Sequence, residues 1–375
     1  MLNLSGYHMI MTMKTQEALT GIAEAFAIRG KVTAVTPLGN GLINDTFRVD
    51  ADGGENYVLQ RINNAIFTDV ELLQSNIEAV TRHIRRKLEA AGESDIDRKV
   101  LRFVPVKDGD ATWHFDGESY WRLSVFIPDT VTVETVNEEY SYYAGKSFGH
   151  FEAMLADIPD TLGETIPDFH NMELRISQLR EAVAKDAAGR MSDPEIKALT
   201  EEIEHYAEEM CMAERLHREG LLPKRICHCD TKVNNMLFDN DGNVLCIIDL
   251  DTVMPSFVFS DFGDFLRSAA NTGAEDDKDT DNVNFNMDIF KAFARGYVES
   301  AKVFLTPLER ENLPYAALLF PYMQTVRFLA DYINGDTYYK IKYPEHNLVR
   351  TRAQWKLFRS ALAHRQEMAD FIASL

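Results

Sequence analysis

A short segment in the second half of the chain gathers the side chains that a phosphoryl transfer needs. His228, Asp230 and Lys232 lie in it, Asn235 ends it, and a strand-like apolar stretch then closes on Asp249. Such a transfer requires a carboxylate that accepts the proton of the attacking hydroxyl, oxygen ligands for Mg2+, and a cation near the phosphates. We therefore predict Asp230 as the general base, Lys232 as the local cation and His228 as a structural group of the loop.

Two residues at the ends of this segment are predicted to bind the metal ion. Asn235 offers a neutral oxygen and Asp249 a charged one, and a β-hairpin between them brings both to the same end of the strands. Asp251 is expected to add a further contact, since residues two apart on an extended chain point the same way. Asp261 and Asp264 lie farther along, at the head of a helical stretch, and we expect one of them to hold the backbone of the loop.

The elements that must position this segment change in character along the chain. Up to about residue 127, apolar alternation and Gly-containing turns predict strands at 31–37, 45–50, 57–62 and 100–105, and a hairpin that ends at 127. One long helix interrupts them, after a capping box of Thr68 and Glu71. Beyond Pro128 helical periodicity dominates. The sequence therefore predicts an α+β fold with two lobes, residues 1–127 and residues 128–375, in which residues 1–20 form a flexible lead-in.

Composition restricts the partners of the chain. It has 39 Lys and Arg against 59 Asp and Glu, a net charge of −20. This balance argues against nucleic acid or an anionic membrane surface as a partner, because both require a basic footprint. No apolar run is long enough to cross a bilayer, and four cysteines without a secretory signal indicate a reducing, cytoplasmic location. A phosphate site must then be built locally, from metal ions, lysines or backbone N–H groups.

The spacing of His228, Asp230 and Asn235, followed by a hairpin and Asp249, resembles the catalytic segment of the protein-kinase-like fold. The whole chain is similar to the aminoglycoside phosphotransferase superfamily of small-molecule kinases, with a closer resemblance to N-acetylhexosamine 1-kinases. That closer resemblance rests on LGNGLINDTF with YVLQRINN, on HCDTKVNNMLFD with CIIDLDTVMP, and on VRFLADYINGDTYYKIKYPEHN. It implies a bilobal protein-kinase-like fold that binds ATP and Mg2+ in its cleft and phosphorylates the anomeric hydroxyl of an N-acetylated hexosamine.

The order of the elements also implies a nucleotide site in the first lobe. The loop between the first two strands would bring backbone and side-chain donors to the phosphates, and the stretch after the last strand would meet adenine. The predicted residues are Gly39, Gly41, Asn44 and Thr46 for the phosphates, Gln60 on the third strand, and Phe126 and Ile127 for the adenine.

One position departs from the pattern of the resembling family. The third strand of this fold usually carries a lysine that positions ATP, and here Gln60 stands at or near that place. Arg61 is the neighbouring cation, but adjacent residues of a strand point to opposite faces, so Arg61 does not simply replace a lysine at position 60. The partner glutamate of such a lysine is open between Glu71 and Glu78.

The acceptor is predicted to meet residues of the second lobe. Arg327 lies in an otherwise apolar helical stretch, and Tyr338 follows the turn that ends it. One alternative for Arg327 is a structural ion pair with Asp331, four residues on along the helix. The resemblance implies instead that Arg327 and Tyr338 contact the sugar. Asp230 would meet the reacting hydroxyl, and His170, in a loop after a proline, is a further predicted contact.

Three functions are compatible with these observations. The first is a catalytic sugar kinase. The second is a nucleotide-binding module on the same fold without turnover, suggested by the missing lysine. The third is a kinase for choline, an amino acid or an aminoglycoside, acceptors that are often cationic and suit an acidic lobe. We favour the first, because the base and both metal ligands are present and because the 326–347 segment mixes an arginine, carboxylates and aromatic rings.

Overall fold

Strands precede helices along the chain, as the periodicity predicts. The computed structural model describes residues 14–39, 44–134 and 136–375. The strands are β1 (Val32–Pro37), β2 (Asp45–Ala51), β3 (Tyr57–Ile62), β4 (Trp113–Phe115), β5 (Tyr120–Val125), β6 (Arg225–Cys227), β7 (Met236–Phe238), β8 (Val244–Ile247) and β9 (Met254–Ser256). The helices are α1 (Gln16–Ala23), α2 (Val70–Ala90), α3 (Ile96–Lys99), α4 (Glu138–Leu155), α5 (Met172–Lys185), α6 (Pro194–Met210), α7 (Met212–Arg218), α8 (Phe259–Ala269), α9 (Met287–Ala301), α10 (Pro307–Glu311), α11 (Leu313–Ile333), α12 (His346–Ala363) and α13 (Arg365–Ser374).

An antiparallel sheet in the order β1-β2-β3-β5-β4 forms the N-terminal region. In its register Gln60 of β3 lies opposite Thr46 of β2 and Arg122 of β5, whereas Arg61 lies opposite Trp121. Side chains alternate between the faces of a sheet, so Gln60 and Arg122 share one face and Arg61 and Trp121 share the other. Trp121 is buried in a core that includes side chains of α1, and the Gln60 face is turned toward α2.

Two helices of the C-terminal region cross with their backbones in contact. A Cβ atom added at Gly145 of α4 would lie 2.1 Å from the carbonyl oxygen of Phe293 in α9. In the reverse direction, a Cβ at Gly296 of α9 would lie 2.2 Å from the oxygen of Tyr142. Only glycine permits so close an approach, so these positions fix how α4 packs on α9.

Two small antiparallel pairs, β6 with β9 and β7 with β8, carry the polar segment. Residues 228–235 connect β6 to β7, and residues 248–253 connect β8 to β9. Both connections therefore emerge from short paired strands above α4 and α8, whose apolar side chains belong to the main core of this region.

The predicted fold class is confirmed: the protein is α+β, with a β-rich N-terminal region and a mainly helical remainder. The division into lobes near residue 127 stays a prediction, and it falls between the end of β5 and the start of α4. No helix in the described ranges combines the length and the apolar character that crossing a bilayer requires.

Three local predictions are wrong. The first turn of α2 is capped by Asp69, whose carboxylate accepts from the Leu72 N–H at 2.9 Å, rather than by Thr68. The stretch 100–105 contributes an isolated bridge at Phe103 instead of a strand. The flexible lead-in does not extend to residue 20, because α1 begins at Gln16 and buries apolar side chains against the sheet.

Candidate active site

The loop from His228 to Asn235, here called the catalytic loop, is held from below by two buried carboxylates of α8. Asp261 accepts from the backbone N–H groups of His228 at 2.8 Å and Cys229 at 2.7 Å. Asp264 accepts from the N–H of Thr231 at 3.0 Å. The prediction that one of these two residues holds the backbone of the loop is therefore confirmed, and both of them do so. Both carboxylate oxygens of Asp261 accept hydrogen bonds from that backbone.

Glu152 is a third buried carboxyl group of this region, and its side chain interacts with that of Asp261. Glu152 of α4 is buried and accepts from the hydroxyl of Tyr297. Burial, and then the negative charge of Asp261, raise the pKa of Glu152 well above its ordinary value. The protonated form of Glu152 is therefore favoured, while burial also raises the pKa of Asp261 and the backbone N–H groups of His228 and Cys229 oppose that rise.

His228 is a structural residue, as predicted. Its side chain is fully buried between the rings of Phe148 and Phe151, at centroid distances of 5.4 Å and 5.8 Å. Nε2 lies 3.0 Å from the carbonyl oxygen of Ile248, and Nδ1 accepts from the N–H of Asp230 at 3.3 Å. These partners assign the proton to Nε2, so the imidazole links the catalytic loop to the connection after β8.

Asp230 presents its carboxylate at the end of this loop. It forms an ion pair with Lys232, and the Asn235 amide donates to its backbone oxygen at 2.8 Å and to Oδ2 at 3.3 Å. Burial lowers the pKa of Lys232, but the carboxylates of Asp230 and Asp264 outweigh it and raise that pKa above the ordinary value. Lys232 is therefore a charged ammonium group beside a carboxylate that is 24% exposed.

The predicted metal ligands lie at one end of the β7–β8 hairpin. Met236 pairs with Ile247, and the Ile248 N–H donates to the backbone oxygen of Asn235 at 2.9 Å. Asp249 therefore lies next to Asn235 along the ladder. Asp249 has left-handed backbone angles, φ 61° and ψ 60°. Both side chains carry the oxygen donors that a hard divalent cation prefers.

The electrostatics of Asp249 fit a bound cation. Its side chain is reachable by solvent, but the surrounding protein groups partly desolvate the carboxylate and raise its pKa to about 6. The carboxylates of Asp251 and Asp230 add to that rise. Negative groups that repel one another across a cleft are relieved by a divalent ion. The side-chain nitrogen of Asn235 donates to Asp230, so the side-chain oxygen is the atom of Asn235 that would bind such an ion.

Asp251 does not have the predicted place in the metal site. It is buried, it forms an ion pair with Arg122 of β5, and it accepts from the Asn44 amide at 2.6 Å. Asp251 therefore joins the connection after β8 to the N-terminal sheet.

The predicted phosphate-binding residues have different surroundings. Gln60 donates to Thr46 at 3.3 Å and accepts from Nε of Arg122 at 2.9 Å. Gly39 has a positive φ of 71°, and none of the described residues would lie within 4 Å of a Cβ atom added there; its contact with a phosphate stays a prediction. Gly41 lies outside the described residues. Asn44 gives its amide to Asp251, so its contact with a phosphate stays a prediction.

The predicted adenine-binding residues follow directly after β5. The Phe126 N–H donates to the Asn56 oxygen at 2.8 Å, and the Ile127 oxygen accepts from the Thr130 hydroxyl at 3.1 Å. These two backbone groups are occupied within the protein, and the adenine contacts of Phe126 and Ile127 stay predictions.

Arg327, Arg175, His170, Tyr338 and Tyr339 form a group that we call the acceptor side, because three of them are the predicted acceptor contacts; that they bind an acceptor stays a prediction. The alternative ion pair of Arg327 with Asp331 is wrong, because the Asp331 carboxylate accepts from the N–H groups of Tyr338 at 2.8 Å and Tyr339 at 2.9 Å. Arg327 instead bonds Gln324 at 3.0 Å, and its guanidinium carbon lies 5.6 Å from the ring centroid of Tyr339.

His170, another residue of the acceptor side, interacts electrostatically with Arg327. Burial lowers the pKa of His170 well below its ordinary value, and the charges of Arg327, Arg175 and Arg267 lower it further. Nδ1 of His170 lies 3.1 Å from the Ser260 hydroxyl. The neutral form of His170 is therefore favoured, and three arginines contribute to this electrostatically.

Arg175 and Tyr339 were missed by the sequence prediction. Arg175 bonds the backbone oxygens of Asp168 at 3.1 Å and Phe169 at 2.9 Å. Its pKa is lowered to about 10 by burial and by the charge of Arg327. Tyr339 is adjacent to the predicted Tyr338, which is 55% exposed, and two consecutive tyrosines gave no sequence signal for choosing between them.

Comparison with known proteins agrees with this geometry. Residues 34–298 match the model of the phosphotransferase enzyme family (APH). A solved aminoglycoside phosphotransferase from Alicyclobacillus acidocaldarius subsp. acidocaldarius aligns over 95% of this chain and 96% of its own, at 13% identity and a TM-score of 0.60. Amicoumacin kinase in complex with AMP-PNP, Ca2+ and Ami aligns over 95% and 94%, at 12% identity and a TM-score of 0.57.

A choline/ethanolamine kinase family protein from Mesorhizobium loti aligns over 94% of this chain and 97% of its own, at 17% identity and a TM-score of 0.53. At these identities the solved structures show a shared fold. The family model covers well over half of the chain and includes both the sheet and the 228–251 segment. The chain therefore belongs to the phosphotransferase enzyme family.

Proposed function

We propose that the protein is an ATP-dependent, Mg2+-requiring kinase that phosphorylates the anomeric hydroxyl of an N-acetylhexosamine. The observation that carries the choice of acceptor is the pair of guanidinium groups of Arg175 and Arg327. Neither forms an ion pair with a carboxylate of the described residues, although the chain as a whole is strongly acidic.

These guanidinium groups disfavour a cationic acceptor. Choline, ethanolamine and aminoglycosides carry positive charge, and two unpaired guanidinium groups beside a neutral His170 would repel it. A neutral sugar accepts hydrogen bonds through its hydroxyl and acetamido oxygens, for which a guanidinium is a suitable donor. The acceptor side therefore fits a neutral polyol better than an amine.

A second feature supports a polar acceptor. The hydroxyl of Tyr339 is buried, and none of the described protein groups bonds it. Buried polar groups of this kind are rare unless a ligand or water completes them. A sugar hydroxyl would do so, and Arg327, which lies over the same ring, would donate to a neighbouring oxygen.

The catalytic loop supplies the chemistry in this proposal. Asp230 takes the proton of the anomeric hydroxyl and orients its oxygen toward the γ-phosphate. Lys232 keeps a positive charge next to that carboxylate. Asn235 and Asp249 would hold Mg2+, which when bound offsets the charge of the phosphate oxygens. The carboxylates of α8 keep the loop fixed, so Asp230 needs no rearrangement to meet the acceptor.

The solved structures with the same fold are named as an aminoglycoside phosphotransferase, an amicoumacin kinase and a choline/ethanolamine kinase family protein, so the decisive experiment is an acceptor panel. ADP release would be measured with N-acetylglucosamine, N-acetylgalactosamine, the corresponding unacetylated amino sugars, choline, ethanolamine and an aminoglycoside. We expect the largest kcat/KM with an N-acetylhexosamine. The methyl glycoside of the same sugar, which lacks a free anomeric hydroxyl, is the matched control and should be inert.

The outcomes separate the three functions. A phosphate on C1, detected by phosphorus NMR, supports the proposal. A higher kcat/KM for choline or an aminoglycoside overturns the choice of acceptor and leaves the kinase. Nucleotide binding without ADP release on any acceptor identifies a binding module.

A further inference from the structure

The N-terminal sheet carries a buried arginine at the place from which the family's lysine is missing. Gln60 of β3 is neutral, and directly opposite it on β5 stands Arg122, whose side chain is 3% exposed. We propose that Arg122 is the cation that positions the phosphates of the nucleotide, moved by one strand from its usual place. The inference deepens the proposed function and rests on its nucleotide half alone.

The register of the sheet puts Arg122 on the correct face. Gln60 and Arg122 are paired and point to the same side, and Nε of Arg122 donates to Oε1 of Gln60 at 2.9 Å. Neighbouring strands are about 5 Å apart, a distance that the long side chain of arginine spans easily. The guanidinium therefore occupies the region that a lysine on β3 would reach.

The partner on α2 has changed in the same way. Glu71 and Glu78 are not the residues that face this cation; Gln74, between them on the helix, lies 3.4 Å from Nη1 of Arg122. Glu78 accepts from Thr112 instead. Two glutamines thus orient the guanidinium without neutralising it, and Asp251 is the carboxylate of the described residues that forms an ion pair with it.

Arg122 keeps a donor free toward a ligand. Nε and Nη1 have partners, but none of the described residues accepts a hydrogen bond from Nη2. Asp251, which forms the ion pair with Arg122, lies only two residues after Asp249, the predicted metal ligand. A phosphate chain bound by a metal ion at Asp249 would therefore lie next to a preoriented guanidinium.

Arg61 is excluded from this role and serves as the control. Its guanidinium pairs with Asp45 and lies 6.0 Å from the ring centroid of Trp121, on the opposite face of the sheet. An effect of charge alone on this part of the protein would be shared by the two arginines, whereas a contact with the nucleotide would be specific to Arg122.

The test is ADP binding by calorimetry, first in EDTA and then with Mg2+. Arg122→Gln should weaken ADP binding by about tenfold or more, and Arg61→Gln should leave it within about twofold of wild type. Because Arg122→Gln leaves Asp251 buried and unpaired, the double variant Arg122→Gln/Asp251→Asn is measured beside it, with melting temperatures for both. The double variant should recover the melting temperature in EDTA and still bind ADP weakly.

A third variant returns the cation to the third strand. Gln60→Lys combined with Arg122→Gln should recover much of the lost ADP affinity, which a purely structural arginine does not predict. The proposal is overturned if a folded Arg122→Gln/Asp251→Asn protein binds ADP as wild type does. It is also overturned if the lysine restores no affinity to a folded protein. None of these readouts involves an acceptor, so they stand apart from the assay of sugar phosphorylation.

Discussion

The catalytic loop and the acceptor side satisfy their polar groups in opposite ways. In the loop, Asp261 and Asp264 accept from backbone N–H groups, and His228 is bonded through both ring nitrogens. On the acceptor side, Arg327 has a glutamine and an aromatic ring as neighbours, and the Tyr339 hydroxyl has no described protein partner. The polar groups of the first region are satisfied within the protein, whereas we propose that a ligand completes those of the second.

This difference separates what a substitution should change. Groups that are satisfied within the protein set the stability of the loop and the rate of the chemical step. Polar groups with few protein partners should instead set the affinity for a ligand, and removing them should break few native contacts. The predictions below test the contrast, beginning with the largest expected effect.

The base should dominate turnover. Asp230→Asn keeps the shape of the side chain but removes the proton acceptor, so kcat should fall by about two or more orders of magnitude with ADP affinity kept. Steady-state kinetics and calorimetry check the two parts. Asp241→Asn, in the exposed turn between β7 and β8, is the control and should keep full activity. Near-normal kcat for Asp230→Asn would remove Asp230 from its assigned role.

Substitutions of Asp249, the predicted metal ligand, and of Asp261, the support of the loop, should have different effects. Asp249→Ala should abolish the Mg2+-dependent part of ATP binding, because the charged oxygen ligand is lost. Asp261→Ala should instead destabilise the protein by about 3 kcal/mol, because two buried backbone N–H groups lose their acceptor. Calorimetry with and without Mg2+ and denaturant unfolding distinguish them. The reverse pattern would place the metal at Asp261.

Arg327 should affect the acceptor and little else. Arg327→Lys keeps the charge but loses the planar fork, so KM for the N-acetylhexosamine should rise by about tenfold while KM for ATP holds. The melting temperature should barely change. Arg352→Lys, which alters a surface pair with Glu195, is the matched control. A sharp fall in melting temperature with an unchanged sugar KM would make Arg327 a structural residue.

The smallest effect is expected beneath the loop. Glu152 has a raised pKa in the folded protein, so its contribution to stability is present at low pH and is lost as the pH rises through that pKa. Glu152→Gln resembles the protonated form, so it should melt close to wild type at about pH 4, below the ordinary pKa of a glutamate, and should lose less stability than wild type as the pH rises from about 4 to about 9. Melting curves across this range decide, and an equal loss of stability in the two proteins would mean that the pKa of Glu152 is not raised by folding.

The polar segment could be predicted because its geometry is local. A loop, a hairpin and a strand end place Asp230, Asn235 and Asp249 within 20 residues, and periodicity also indicated the strands and helices around them. Asp251 was misjudged because its partner, Arg122, lies in another region of the chain. Spacing carries no information on a pair that only the packing of the sheet on the 248–253 connection creates.

The acceptor side was harder for the same reason. Arg175, His170 and Arg327 come from three stretches of sequence that α11 and α5 bring together. An arginine in the buried strand YWRLSV was a signal for Arg122, since a charge in such a strand needs a reason. Gln60, which stands in place of the lysine, and the extra arginine, Arg122, lie directly opposite each other in the register of β3 and β5. The two departures from the usual pattern are therefore related.

The glycine crossing of α4 and α9 has a mechanical consequence. With Gly145 and Gly296 seated on backbone oxygens, no side-chain rotamer separates the helices, and sliding one along the other would at once drive atoms into overlap. Helices in such contact move as one stiff body. The rings of Phe148 and Phe151 belong to that body, and His228 is wedged against them. The catalytic loop thus inherits the rigidity of the crossing, and any closing of the cleft around a substrate has to be taken up by softer joints elsewhere in the chain.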